Sequence, residues 1–465
     1  MKKLFLKFAL VLLSTISVFT SCKEEVIIDP DAAEKDAPNE VIVKTDITTT
    51  RQWVKDSVYI LKGQINVTGT LNIAAGTVIK GDKPTKGCLI VVPGGKINAV
   101  GTAAQPIVFT SRMAAGLRAA GDWGGLVLVG KAPVNQSTAV VEGLSREVAY
   151  GTTAITTRDA ADNSGKLQYV RIEFAGIPLQ PDKEINGLTM CAVGSATTID
   201  HIQVSYCGDD SFEWFGGNVN SKYLIAYLGL DDEFDTDYGF TGKVQFALGV
   251  RNPRVADVST SNGFESDNDG SGSAASPQTA PVFSNISLIG PHKTLTTSNV
   301  NTMFGSGMHI RRNNSLSVFN SVFAGWNTGL LLDATTTYAN ATAGNLAIQN
   351  CALVGMKVKS VNGAGITEQQ ALDFFNTASF NNKIIADNAT AKISNSFYDA
   401  SKVGILANPT SFIPEAGSAL LSGGVFTHTK LTDAFFTPTT YIGAIGTTDW
   451  TKETWVNFDP QNTVY

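Results

Sequence analysis

An eight-residue motif that closes on glycine recurs along this chain. Residues 169–176, 201–208 and 222–229 are three copies; 283–290, 318–325 and 348–355 are three more, and 393–398 is a weaker one. Each copy alternates apolar and polar residues before a turn, which places its apolar side chains on one face of a strand. One such strand cannot bury that face alone. Successive copies stacked on each other can, so the repeat predicts an all-β solenoid built coil upon coil. Forty-four glycines and a charged fraction of 16% suit turn-rich β structure. Asn285, Asn320, Asn350 and Asn395 occupy the same place in four copies. They predict asparagines stacked at a turn and bonded along the solenoid axis. Helix is expected only near 367–375, where Thr367 and Gln370 have capping-box spacing.

The stretches at 59–79, 89–100, 101–111 and 121–130 repeat an apolar strand followed by a glycine turn. They resemble the N-terminal coils of secreted right-handed parallel β-helices of the pectin-lyase-like kind. The resemblance implies a right-handed parallel β-helix with loop insertions over residues 51–440. Residues 441–465 carry Trp450, Trp455 and Phe458 and are expected to form a C-terminal cap, since repeat proteins need their open ends covered.

The N-terminus reads as a processing signal. Lys2, Lys3 and Lys7 precede an apolar run at 8–19, and then come Phe19, Thr20, Ser21 and Cys22. This resembles a bacterial lipoprotein signal, with residues 1–21 removed and acyl chains placed on Cys22. Lys23, Glu24 and Glu25 resemble the tag that sends lipoproteins of Bacteroidetes-type bacteria to the outer face of the outer membrane. Residues 22–50 read as a flexible tether. Removing residues 1–21 takes away three lysines and no acid, so the formal charge of −6 becomes −9. That sign disfavours nucleic acid as a partner.

Acid is concentrated in one stretch. Twelve carboxylates and four basic residues fall between Asp209 and Asp269. Sliding the chain by 22 residues lays Asp209, Asp210, Phe212 and Glu213 on Asp231, Asp232, Phe234 and Asp235. An offset of that size is one coil, so the Asp pairs should stack about 4.8 Å apart. Like charges so close ask for a cation. The all-oxygen donors Asp209, Asp210, Asp231, Asp232, Asp235, Asp237, Asp267 and Asp269 suit calcium, and no organic cofactor is implied. Phe212 and Phe234 are expected in the core. Trp214, Phe215, Tyr238 and Glu265 are candidate ligand contacts, as aromatic platforms and a carboxylate for sugar hydroxyls. The Gly208-Asp209-Asp210 run, with His309 and Arg311, also resembles polygalacturonase-type glycoside hydrolases. That resemblance makes Asp209, Asp210, Asp231, Asp232, His309 and Arg311 candidate catalytic residues. A lyase would instead use Arg311 or Arg312 as base.

Cys88, Cys191, Cys207 and Cys351 form no CxxC pair, which argues against a thiolate zinc site. Cys191 and Cys207 are the one pair that a disulfide could join; buried free thiols are the expectation. Taken whole, the chain resembles surface lipoproteins of Bacteroidetes that carry a right-handed β-helix. The resemblance rests on residues 121–135, 167–176, 197–217, 229–248 and 262–269, and on the tryptophan-containing end. It implies a lipid-anchored protein that binds a glycan or nutrient, accessory to a TonB-dependent transporter. A polysaccharide-degrading enzyme and a structural adhesin are the alternatives.

Overall fold

Alternation becomes a ladder in the computed structural model, which describes residues 39–180, 183–393 and 411–465. Ten parallel strands form one sheet, from Gln64–Val67 through Phe212–Gly217, Phe234–Asp237 and Phe264–Ser266 to Lys359–Ala364. A 17-stranded sheet wraps the rest of the coil. The chain is all-β in character, a right-handed parallel β-helix. The 22-residue offset is a true register, with Phe212 opposite Phe234; the next coil is 30 residues long and sets Phe264 opposite Phe234. Inside the solenoid the Phe212 and Phe234 rings stack with centroids 5.5 Å apart, and the Phe264 ring lies tilted against Phe234 at 5.7 Å. Aromatic faces at this spacing attract beyond the area they bury.

The repeated motif supplies the long strands Gly165–Glu173, Thr198–Ser205, Asn220–Tyr227, Lys243–Val250 and Val282–Ile289. Each is bent by one residue with left-handed backbone: Tyr169, His201, Tyr223, Phe246 and Asn285, with φ of 52, 56, 56, 62 and 57°. That conformation costs a residue with a Cβ about 1–2 kcal/mol. In the earlier coils stacking offsets the cost, because the Tyr169, His201 and Tyr223 rings lie 4.4 Å from one another in sequence. Later coils use asparagine, which tolerates the conformation, at Asn285, Asn320 and Asn350. Some of the asparagine bonding is axial, as from Gln245 Nε2 to Asn285 Oδ1 at 3.1 Å. Asn285 and Asn320 amides donate outward as well, to the carbonyls of Gly443 and Val425. Asn395 lies outside the described residues.

Those outward bonds show where the C-terminal segment goes. Instead of plugging an end, it runs back along the flank as a strap. Thr437 is bonded to Gln245, Asn457 to Gln203, and the carbonyl of Tyr465 accepts from Lys80. Trp450 and Trp455 pack edge-on against Tyr223 and His201. The core's late end is covered by the helix Glu368–Phe375, which buries Ala371, Phe374 and Phe375 and keeps the expected capping box. The other end starts earlier than expected. Glu40–Val43, inside the proposed tether, is a strand in register with Val58–Leu61.

Cys191 and Cys207 are free and buried in different apolar clusters, as are Cys88 and Cys351 free and buried. Cys22 and the signal segment lie outside the described residues. Among the described residues no helix is long and apolar enough to cross a membrane.

Candidate functional site

Outward-facing residues of the ten-stranded sheet build the site. In Phe212–Gly217, Phe212 and Trp214 point into the core, so Glu213 and Phe215 point out. The next strands present Asp235 and Glu265 at the same register position, giving a column of Thr189, Glu213, Asp235, Glu265 and His309. The turn before each strand supplies a second column. Asp210 Oδ1 accepts the backbone N–H of Asp232 at 2.8 Å, and Asp232 Oδ1 accepts that of Asn262. Asn262 Oδ1 in turn accepts from Ser306 N at 2.9 Å. Each turn is thus tied to the next coil by a side-chain oxygen, which explains why Asp recurs there. Beneath the second turn, the fully buried Arg251 pairs with Glu233 at 3.0 Å and donates to the carbonyls of Leu230 and Asp231.

Two insertions wall this face into a cleft of about 340 Å³. Val140, Glu142 and Tyr150 stand on one side, Ser259 and Thr260 on the other. Carboxylate oxygens inside form three overlapping triads, each with its atoms within 4.8 Å: Asp209, Asp210 and Asp231; Asp210, Glu213 and Asp235; Asp232, Asp235 and Glu265. Burial pushes the Asp210, Glu213, Asp232 and Asp235 carboxyls well above the usual range, and neighbouring acids add to it, Asp209 chief among them for Asp210 and Glu213. Glu265 is raised by burial against the pull of Arg311. Three buried acceptor atoms at the cleft have no hydrogen-bond partner: Asp231 Oδ1, Asp235 Oδ1 and Asn186 Oδ1. An oxygen cluster that is buried, mutually repelling and partly unsatisfied has the donor chemistry of a hard divalent cation.

The family model described as the pectate-lyase like beta helix domain matches residues 45–396. The chain belongs to that family. No curated protein matches it. Among solved structures, pectate lyase Pel9A is similar at 12% identity and a TM-score of 0.34, over 82% of this chain and 88% of that one. The catalytic domain of a GH87 alpha-1,3-glucanase in complex with tetrasaccharides follows at 9% identity and a TM-score of 0.23, over 75% and 65%.

In this pectate-lyase-like β-helix the expected site residues divide sharply. Asp209, Asp210, Asp231, Asp232, Asp235 and Glu265 meet in the cleft, and Phe215 and Tyr238 line it. Trp214 does not: it is fully buried, stacked 5.4 Å from Phe240, because residues two apart on a strand share a face and Phe212 is a core residue. Asp237 is outside the triads and turns back to accept from Tyr238 N at 2.6 Å. Asp267 is held by Arg311 and Arg312, each at 2.8 Å, and Asp269 accepts from Ser271 N and Ser273 N within its own loop. His309 lies between Glu265 and Asp333, at 3.7 and 3.2 Å, off the cleft lining. Arg311 reaches the cleft but is committed to Glu265 and Asp267. Glu213 was not expected as a ligand, although the 22-residue offset lays it on Asp235. Asn186 and Tyr150 sit on segments that carry no repeat, and no sequence signal pointed to them.

Proposed function

We propose that this protein is a lipid-anchored surface protein of the outer membrane that holds calcium in the carboxylate cleft and captures an extracellular ligand there, a glycan or another nutrient. The observation that carries the reading is the set of three shared triads with unpartnered Asp231 Oδ1 and Asp235 Oδ1. Calcium takes six to eight oxygens in flexible geometry, and neighbouring coils offer carboxylates at that density. Bound calcium would neutralise the cleft and tie adjacent coils together. Phe215 and Tyr238 give a sugar ring apolar faces beside hydrogen-bond acceptors. Acyl chains on Cys22 support anchoring, since more than one chain is needed for stable attachment. The whole-chain resemblance supports a role beside a TonB-dependent transporter.

Thermal melts test the cation. EDTA-treated protein should melt lower than protein given excess calcium; superimposed curves would sink the proposal. Membrane fractionation tests the anchor. Wild-type chain should partition with outer membrane and Cys22→Ser with the soluble fraction; equal partitioning would count against lipidation.

A further inference from the structure

The turns that lead into the cleft strands form a ladder in which one side chain behaves differently. Leu188, Phe212, Phe234 and Phe264 lie opposite one another on successive coils, so Asn186, Asp210, Asp232 and Asn262, each two residues earlier, share one turn position. Asp210 Oδ1 accepts from Asp232 N, Asp232 Oδ1 from Asn262 N, and Asn262 Oδ1 from Ser306 N. Asn186 breaks the pattern. It lines the cleft and is 4% exposed, yet its Oδ1 has no hydrogen-bond partner. Its amide is held from the other side, because Nδ2 donates to the Glu213 carboxylate and, at 3.3 Å, to Thr189 Oγ1. An amide oxygen buried without a donor costs about 1–3 kcal/mol. A cation beside it removes that cost.

The three carboxylate triads are unequally supplied by the protein. In the triad of Asp232, Asp235 and Glu265, the Arg311 guanidinium already pairs with Glu265. In the triad of Asp209, Asp210 and Asp231, Ser259 Oγ donates to Asp231 Oδ2 at 2.7 Å. Among the described residues, no lysine or arginine pairs with any member of the middle triad, Asp210, Glu213 and Asp235, and Asp235 Oδ1 lacks a partner as well. Asn186 adjoins this triad on two counts: it shares the turn position of Asp210, and its amide holds Glu213.

Resting on the reading that the cleft takes calcium, we propose that the middle triad is its tightest cation site and that the Asn186 side-chain carbonyl is a fourth, uncharged ligand there. Carboxylates mixed with an amide oxygen are the donor set that calcium takes. The ion then ties three successive coils together, through the turn before Leu188–Val193 and through the strands Phe212–Gly217 and Phe234–Asp237.

Isothermal titration of the EDTA-stripped full chain with calcium alone tests this. Asn186→Ala removes the oxygen and should weaken the tightest calcium step about tenfold, the scale on which ligand number and charge tune such sites. Asn186→Asp keeps an oxygen in that place but loses the amide donor to Glu213, and it should bind calcium at least as tightly as wild type. Were Asn186 only to position Glu213 through Nδ2, both substitutions would weaken calcium alike, and that result overturns the assignment. An unchanged affinity in Asn186→Ala overturns it too. Should Asn186→Ala fail to fold, Asn186→Asp decides alone: equal or tighter binding supports the ligand, weaker binding overturns it. In each of these outcomes wild type still binds calcium and the cation reading stands. Wild-type protein that shows neither calcium heat nor a calcium-dependent rise in melting temperature removes the reading beneath instead.

Discussion

Glu213, Asp235 and Glu265 occupy one register position on three coils, and each is forced to share its surroundings with other acids. Without a cation the folded protein keeps protons on these carboxyls that the unfolded chain releases. Asp237 is pushed up to about 8 and Glu233 to about 7, both by burial. A folded-state value above the unfolded one means the native state binds more protons between the two. Stability then falls as pH rises through that window, from about 4 to about 8. Melting temperature of EDTA-treated protein should accordingly drop from pH 5 to pH 8. Calcium should flatten the profile, because it replaces the protons as the neutralising charge. A calcium-free profile that rises with pH would contradict this account. Asp235→Asn should weaken the calcium shift, since Asp235 belongs to two triads, and titration of melting temperature with calcium would measure the loss.

At the scale of elements, the strand ladder was legible and the walls were not. A coil of constant length leaves an arithmetic trace: shift by 22 residues and Phe212 falls on Phe234, Asp210 on Asp232. The same trace contained Glu213. Trp214 was misplaced because an aromatic residue among acids looks like a platform until the period-two alternation from Phe212 is applied to it. Asp237, Asp267 and Asp269 share the acidic composition of the site, but composition does not say which acids a neighbouring arginine or backbone amide already holds. The walls come from insertions, which have no repeat and leave no trace. Because Phe234 is sandwiched between Phe212 and Phe264, Phe234→Ala should destabilise by about 3–5 kcal/mol. Urea denaturation followed by circular dichroism measures it, and a loss below about 1 kcal/mol would mean the ladder is not a packing unit.

Across the whole molecule the strap changes what kind of solenoid this is. Stacked coils alone touch only their neighbours, and such arrays lose their ends first. Here Asn320, Gln245, Gln203 and Lys80, on four separate coils, are all bonded to residues 425–465. Replacing Trp455, buried against Tyr169 and His201, with alanine should therefore lower the melting temperature of early coils that are far from it in sequence. Hydrogen exchange would show that loss over residues 165–205; protection there that is unchanged would contradict it. Lys80 and Tyr465 are separated by 385 positions in the chain, so the strap is synthesised only after every coil it covers. Coils can assemble in order as they emerge, each on the one before, but the flank stays greasy and open until the final stretch arrives. The protein thus carries its own clock: a chain that lacks the final stretch leaves bare the apolar side that Trp450, Trp455 and Phe458 cover in the finished one.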